Sequence, residues 1–135
     1  MRIYGTYTPT KWDERTIQEI ENRMKLTKAT VEFTFSGDIE GVGYIEYLMF
    51  YSSFDPDDMH NSHAKYVGQL RIVGKLKGKS GSFVLEDAGT FSGGVARSEL
   101  AIISGSGTDE LRAISGVGEY SADQSACAWE MEVSL

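Results

Sequence analysis

Apolar and polar residues alternate along the last segment of the chain. One side of this segment, in an extended conformation, carries Cys127, Trp129, Met131, Val133 and Leu135. The residues between them are small or charged. Successive side chains of a strand point to opposite faces, so this period of two indicates a half-buried β-strand. The segment 31–36 repeats the pattern, with valine or phenylalanine at every second position, and we predict a strand there as well.

Further strands are predicted at short spacing along the rest of the chain. They lie near 2–9, 43–52, 65–76, 81–91, 94–103 and 117–124, with glycine-rich turns between several of them. Short connections favour an antiparallel sheet, and closure of the sheet removes its exposed edges. We predict an all-β fold, a single antiparallel β-barrel of about eight strands that takes residues 1–135 as one domain. The interior of such a barrel holds packed side chains or one small ligand.

The segment 16–24 gives a different signal. Ile17, Ile20 and Met24 share one face of a helix, and Thr16 with Glu19 fits a capping box at its start. We predict either a short helix or an irregular lid over one end of the barrel.

The strand at 43–51 is apolar on both faces. Tyr44, Glu46, Leu48 and Phe50 share one face, and the other face runs from Gly43 to Tyr51. A barrel wall has one face toward the lumen, so a second apolar face needs a cover of its own. That cover is either the lid or a second subunit, and we predict a homo-oligomer.

Glu46 is the charged residue in this apolar run. If Glu46 points inward, burial of its charged carboxylate costs free energy unless the group is protonated, paired or hydrated. Arg71 and Arg97, each in the middle of a predicted strand, are candidate partners that would help to anchor the polar end of a ligand. The alternative is a structural salt bridge, or an outward glutamate at the rim of the barrel.

Aromatic side chains are candidates for the walls of a cavity. Trp12, Tyr44, Tyr120 and Trp129 would suit a flat or hydrocarbon ligand. The competing interpretation is plain core packing, because small barrels fill their interior with such side chains.

The loop 54–63 combines carboxylates with both histidines, His60 and His63. These residue types bind divalent metals, but their spacing matches no established ligand motif. The Asp55-Pro56 pair is typical of turn initiation, and we interpret the segment as a solvated hairpin loop without a metal.

Two other features also have structural interpretations. Cys127 falls on the inward face of the last strand, where a free cysteine behaves as a small hydrophobic residue. The segment 105–118 is rich in glycine but lacks the lysine of a phosphate-binding loop, so its glycines are interpreted as turn residues.

Charge and composition narrow the classes of partner. The 135 residues carry a net charge of −7, with an isoelectric point near 4.8. This charge argues against nucleic acid or an anionic membrane as the main partner, since both attract basic surfaces. No membrane-spanning apolar run and no secretory leader is recognised, so we expect a cytoplasmic protein. The single cysteine excludes an internal disulfide, and no motif calls for a cofactor.

Several glycine-spaced phrases resemble a known family. They are "FSGDIEGVGYIEY" at 35–47, "IVGKLKGKSGSFVLEDAGTF" at 72–91 and "ISGSGTDELRAISGVGEY" at 103–120, together with "KWDE" at 11–14. In these the chain resembles a bacterial family filed as domain of unknown function 3224, which is similar in fold to allene oxide cyclase-like, calycin-like barrels. The resemblance implies an antiparallel barrel with a central cavity and frequent oligomerisation. It transfers no catalytic residue to this chain, because fold alone does not determine function.

Three functions remain open from the sequence. The first is binding of a small, mostly apolar molecule, with Glu46 and either Arg71 or Arg97 as polar anchors. The second is a cofactor-free isomerase or cyclase that uses the same cavity. The third is an oligomeric structural protein whose barrel is filled.

Overall fold

The described residues of the computed structural model, 1–123 and 127–135, form eight antiparallel strands and two short 3₁₀ helices. The first four strands are β1 (Arg2–Ile20), β2 (Met24–Gly37), β3 (Ile39–Ser53) and β4 (His63–Leu76). The others are β5 (Lys79–Ser92), β6 (Val95–Ile102), β7 (Ser115–Ala122) and β8 (Cys127–Ser134). Each strand pairs with the next, and β1 pairs with β8. The predicted fold class, a closed antiparallel barrel, is confirmed. In the described part of the chain, no helix has the length and apolar character to cross a membrane.

Two hairpins are made by two-residue turns. Leu76 pairs with Lys79 across Lys77 and Gly78, which both have positive φ angles (46° and 84°). Ser92 pairs with Val95 across Gly93 and Gly94, with φ angles of 61° and 80°. Positive φ at both central positions matches the twist of the flanking strands, and glycine adopts it without strain. The predicted turns at 76–81 and 91–94 therefore set the register of β4, β5 and β6.

The predicted helix at 16–24 is wrong, because β1 continues as a strand to Ile20. It pairs with β2 from Gly5↔Gly37 as far as Ile20↔Met24, with irregularities after Pro9 and after Thr16. An isolated helix of nine residues is only marginally stable in water, whereas this ladder pairs the segment along its length. Within the described residues, β1 pairs with β8 only as far as Thr6, so beyond this seam β1 is paired on one side only, with β2. β2 itself stays paired with β3 as far as Lys25↔Tyr51. We use the term arm for residues 8–28.

Most of the predicted inward face of β8 is buried. Trp129, Met131 and Val133 belong to the core, and Cys127 packs partly buried against it. Leu135 is instead exposed, since β8 ends at Ser134.

The loop from Ile103 to Ile114 completes the other end of the barrel. Beyond the point where β6 stops pairing with β5, Ser82 hydrogen-bonds to Thr108 and Val84 hydrogen-bonds to Ser106. The loop thereby contributes Leu111 and Ile114, which are both buried, to the core. The core at this end is apolar, whereas tyrosine hydroxyls converge nearer the arm.

Candidate functional site

Glu46 lies on the outside of the barrel, so the inward placement that its role as a ligand anchor required is wrong. Its Oε1 accepts hydrogen bonds from Lys28 Nζ at 2.9 Å and from Thr30 Oγ1 at 3.4 Å. The lysine hydrogen bond is the main cause that lowers the pKa of Glu46, with desolvation opposing it. The inward residues of β3 are its neighbours Ile45 and Tyr47, both buried. The structure therefore matches the alternative of an outward, ion-paired glutamate.

The two candidate arginines also point outward. Arg71 is exposed opposite Tyr44, and Arg97 is exposed opposite Thr90 and Ser121. Among residues 1–123 and 127–135, neither arginine forms a salt bridge with Glu46. Tyr44 is half-exposed on the same outer face, so it cannot line the lumen as predicted.

The remaining aromatic candidates lie near the lumen. Trp129 is buried, lines the internal gap and donates its indole N–H to the carbonyl of Thr6 at 3.2 Å. Tyr120 lines the same gap. Trp12 is half-exposed on the arm, with its ring centroid 6.4 Å from that of Tyr47, so it covers the barrel rather than lining its interior.

The most unusual interior group is Asp87, a residue that the sequence reasoning missed. The residue is 1% exposed, and its Oδ2 accepts a hydrogen bond from the Tyr47 hydroxyl at 2.8 Å. The Tyr120 hydroxyl lies 3.1 Å from that of Tyr47 and 3.3 Å from that of Tyr66. The Tyr66 hydroxyl in turn lies 2.7 Å from Ser98 Oγ. We call these five residues the Asp87 cluster.

The other carboxylate oxygen, Asp87 Oδ1, is buried and has no hydrogen-bond partner among the described residues. Buried polar atoms are nearly always hydrogen-bonded, and an exception needs an explanation such as a role in binding or catalysis. This oxygen is therefore the strongest indication of a site inside the barrel.

The strand register explains how the Asp87 cluster assembles. Its members come from five consecutive strands, β3 to β7, and point inward at neighbouring positions of the ladder. Gly89 pairs with both Tyr66 and Ser98. A Cβ at Gly89 would lie 2.7 Å from both the Ser98 and Tyr66 oxygens, so only glycine leaves room for their hydrogen bond.

Burial determines the protonation of the cluster. Desolvation raises the pKa of Asp87 to about 6, against the opposing effect of the Ser98, Tyr47 and Tyr120 hydroxyls. Desolvation is also the main cause that raises the pKa of Tyr47, Tyr66 and Tyr120. The tyrosines are therefore neutral near pH 7, while Asp87 titrates within reach of physiological pH.

The interior around this cluster is filled. The gap that Asp87 lines has a volume of about 20 Å³, and its walls include Phe33, Phe35, Leu70 and Leu100. Ordinary ligand pockets measure about 300–1,000 Å³, whereas about 10–15 Å³ suffices for one water. Among the described residues, the gap beside Asp87 is therefore too small for a whole ligand, and the predicted ligand-sized hollow stays a prediction.

A larger groove crosses the outer surface from β4 through β8 to β1. Its volume is about 940 Å³, and Arg97 and Trp129 are among its lining residues. Lys65 also lines it, together with Glu99, Glu119 and Glu130, which oppose one another on β6, β7 and β8. Of the residues that the sequence analysis singled out, Arg97, Tyr120 and Trp129 are brought together here.

The arm closes the end of the barrel nearest the Asp87 cluster. Glu14 Oε2 accepts hydrogen bonds from the Tyr51 hydroxyl and from Thr27 Oγ1, both at 2.8 Å. Lys25 Nζ lies 3.3 Å from the ring centroid of Phe54. The arm therefore covers this end of the barrel as a lid, through residues on either side of the predicted segment 16–24.

Replacing Glu14 with alanine should loosen this lid. The variant loses three hydrogen bonds to this carboxylate, from Trp12, Thr27 and Tyr51. Their loss is expected to speed amide exchange in residues 8–28 by about tenfold, which corresponds to about 1.4 kcal/mol. Hydrogen-exchange mass spectrometry measures this rate. Glu19→Ala, which removes an exposed carboxylate from the same strand, is the control. Equal exchange in the two variants would show that Glu14 does not hold the arm.

The loop 54–63 is organised by its own hydrogen bonds. Asp55 Oδ1 accepts a hydrogen bond from the backbone amide of Asp57 at 2.9 Å. Asp58 Oδ1 accepts one from the backbone amide of His60, also at 2.9 Å. The Asp57 amide is the main cause that lowers the pKa of Asp55. His60 contacts the carbonyl of Gly93, and His63 contacts Ser92. Within residues 1–123 and 127–135, no three histidine, cysteine or carboxylate side chains are grouped so as to hold a metal ion.

Cys127 does not have the environment of an activated nucleophile. It is partly buried, and desolvation raises the pKa of its thiol. A reactive cysteine needs a lowered pKa, so this thiol is better suited to packing.

Comparison with known proteins relates the whole barrel to one family. The family model described as "Protein of unknown function (DUF3224)" matches residues 3–132. The chain belongs to the DUF3224 family. Among solved structures, the barrel is similar to a DUF3224 protein of unknown function from Shewanella oneidensis MR-1. The two share 22% identity with a TM-score of 0.77, over 100% of this chain and 97% of the other.

No curated protein matches the chain. The DUF3224 relative supports the fold alone at this level of identity, and it assigns no activity. The similarity to allene oxide cyclase barrels stays a prediction.

Proposed function

We propose that this DUF3224 chain binds a small, mostly apolar molecule that presents a hydrogen-bond donor to Asp87 inside the barrel. The observation that carries the proposal is Asp87 Oδ1, which is buried beside an internal gap and has no partner among the described residues. A site with unpaired buried acceptors selects strongly for a ligand that supplies the missing donor. The polar anchors that the sequence placed at Glu46, Arg71 and Arg97 are thereby replaced by Asp87.

The surroundings of Asp87 favour an amine as the donor. The gap is lined by aromatic and aliphatic side chains, among them Phe33 and Leu100, which suit an apolar ligand body. A protonated amine beside an ionised Asp87 would form a charge-assisted hydrogen bond, which is about twice as strong as a neutral one. The neighbouring tyrosine hydroxyls would then orient the donor.

The size of the gap limits how such a ligand enters. About 20 Å³ admits the donor group but not the ligand body. The body therefore needs the barrel end under Trp12 and the arm to open, so binding is coupled to movement of the lid.

Ligand-detected NMR with benzylamine, benzyl alcohol and benzoate tests the proposal. We expect benzylamine to bind wild-type protein best at about pH 7.5 and more weakly at about pH 5, where Asp87 is mostly protonated. Asp87→Asn should abolish the preference for the amine. Glu46→Gln, which neutralises an acid on the outer surface, should leave it unchanged. Absence of benzylamine binding to the wild type, or equal binding to Asp87→Asn, would refute the proposal.

A second candidate function follows from the filled interior. A barrel whose internal gap is about 20 Å³ suits an assembly module that acts through its outer surface. This candidate predicts that the wild type binds none of the three probes and forms a defined oligomer. The cofactor-free isomerase or cyclase stays a prediction, since it needs a substrate inside the same closed lumen.

A further inference from the structure

The outer surface of β3 and β4 carries a group of exposed apolar side chains on neighbouring strands. Val42, Tyr44, Leu48, Val67 and Val73 expose 38–58% of their surface. They alternate along the strands with the buried inward residues, so the sheet itself holds them outward. We call this surface the β3–β4 face, and it includes the polar residues Glu46, Gln69 and Arg71. Several exposed apolar side chains grouped around a few polar ones are typical of an interaction site.

The arm leaves this face uncovered. Trp12 and Glu14 contact Tyr47 and Tyr51, which are inward residues of β3, and thus lie over the end of the barrel. The apolar side chains of the face remain exposed with the arm in this position. Of the two covers predicted for a second apolar face, the lid is therefore ruled out in this conformation.

Cross-strand pairing arranges the face in four rows. The outermost rows are Val42↔Val73 and Leu48↔Val67, which pair apolar with apolar side chains. Between them lie Tyr44↔Arg71 and Glu46↔Gln69. Two residues of a strand rise about 7 Å, so the four rows span about 20 Å.

This arrangement is self-complementary under a two-fold rotation. The two-fold axis lies in the plane of the face, parallel to the strands and midway between β3 and β4. Rotation about this axis places β3 of one copy against β4 of the other. Each row then faces the same row of the second copy. Val42 then meets the partner's Val73, and Leu48 meets the partner's Val67. In the central rows, Tyr44 meets the guanidinium of the partner's Arg71. Glu46 meets the side-chain amide of the partner's Gln69.

Each of these contacts is favourable. The aliphatic rows remove apolar surface from water, the arginine packs on an aromatic ring and the amide donates to the carboxylate. Tyrosine and arginine are also the residue types enriched at the centre of protein interfaces. Glu46 keeps its ion pair with Lys28, so its charge is not left unpaired on burial.

We propose that the β3–β4 face is a homodimer interface, in which two copies of this chain pack face to face about a two-fold axis parallel to the strands. The occupant of the face is thus a second copy of the chain. This inference does not depend on ligand binding at Asp87.

Sedimentation velocity from about 1 µM to about 100 µM tests the oligomeric state. The chain mass is 14.9 kDa, so the dimer should have twice that mass, 29.8 kDa. Val67→Lys should shift the protein to the monomer across the range, because the introduced amine would be buried against the partner's Leu48. Val117→Lys, at another exposed valine, on the outer face of β7, is the control and should remain dimeric. Circular dichroism confirms that both variants are folded.

A rescue experiment tests the two-fold arrangement itself. Leu48→Glu alone should be monomeric, as should Val67→Lys alone. A mixture of the two should form a heterodimer, because the introduced carboxylate of one subunit meets the introduced amine of the other. Native mass spectrometry identifies this species by its distinct mass.

Four results would overturn the proposal. They are a monomeric wild type at the highest concentration, a trimer or larger ring, a dimer that survives Val67→Lys, and a mixture that stays monomeric.

Discussion

Replacing Phe35 with alanine is expected to lower the free energy of unfolding by about 3–5 kcal/mol, the usual range for a buried phenylalanine. Phe35 is buried, with ring centroids 5.9 Å from Tyr7 and 6.2 Å from Phe33. It also lines the internal gap of about 20 Å³. Hydrogen-bond ladders hold β2 on both sides, so the wall cannot collapse into the space that the ring leaves. Urea unfolding measures the loss.

The matched control for Phe35→Ala is Val117→Ala, at an exposed residue of β7. A surface change of this kind should alter the stability by less than about 0.5 kcal/mol. Benzene should raise the unfolding midpoint of Phe35→Ala and not that of the wild type, because an apolar cavity binds an apolar ligand of its own size. A loss below about 1 kcal/mol for Phe35→Ala would show that the interior around Phe35 is not tightly packed.

The barrel was predictable because the strands obey local rules. The alternation of β8 placed Trp129 and Met131 in the core, and glycine pairs marked the two-residue turns. The arm was not predictable from the same rules. Ile17 and Ile20 fit a helical face, but the conformation of the segment is decided by β2, which lies across a turn and pairs with the residues on both sides of Ile17 and with Ile20.

The orientation of Glu46 shows why a short window misleads. Between 43 and 51 both faces of β3 are apolar, and the lone acid does not decide between them. The full strand begins at Ile39, and extension of the alternation places Glu40 and Glu46 on one face and the buried Ile39 on the other. Two acids on one face indicate solvent. The residues at the start of the strand therefore indicate which face of β3 is exposed, whereas those at its centre do not.

Asp87 was visible in the sequence as a lone acid on an apolar face. Phe83, Leu85, Asp87 and Phe91 alternate along β5, and the intervening residues include Glu86 and Thr90. The partners of Asp87 were not visible. Tyr47, Tyr66 and Tyr120 come from three other strands, and only the register of the closed barrel brings their hydroxyls together.

The Asp87→Asn variant should remove a pH-dependent loss of stability. The pKa of Asp87 is raised from its ordinary value to about 6 in the folded state, so folding favours the protonated acid. Between about pH 4 and pH 6 the folded protein therefore binds more protons than the unfolded chain at this group, and stability falls as pH rises. A difference of about two between the pKa of Asp87 in the folded and unfolded states corresponds to about 3 kcal/mol in the free energy of unfolding. This contribution is present below about pH 4 and is lost as pH rises through 6.

The measurement is the difference in unfolding free energy between Asp87→Asn and the wild type across this pH range. Relative to the wild type, Asp87→Asn should gain about 3 kcal/mol between pH 4 and pH 7.5, because asparagine keeps the shape without the charge. Glu46→Gln is the control, and its stability difference from the wild type should change with pH in the opposite direction. The pKa of Glu46 is lowered by Lys28, so the wild type should gain stability over Glu46→Gln as the carboxylate ionises. If the difference for Asp87→Asn stays flat across the range, the Asp87 carboxylate is hydrated in solution. The buried acceptor on which the proposed ligand site rests would then be absent.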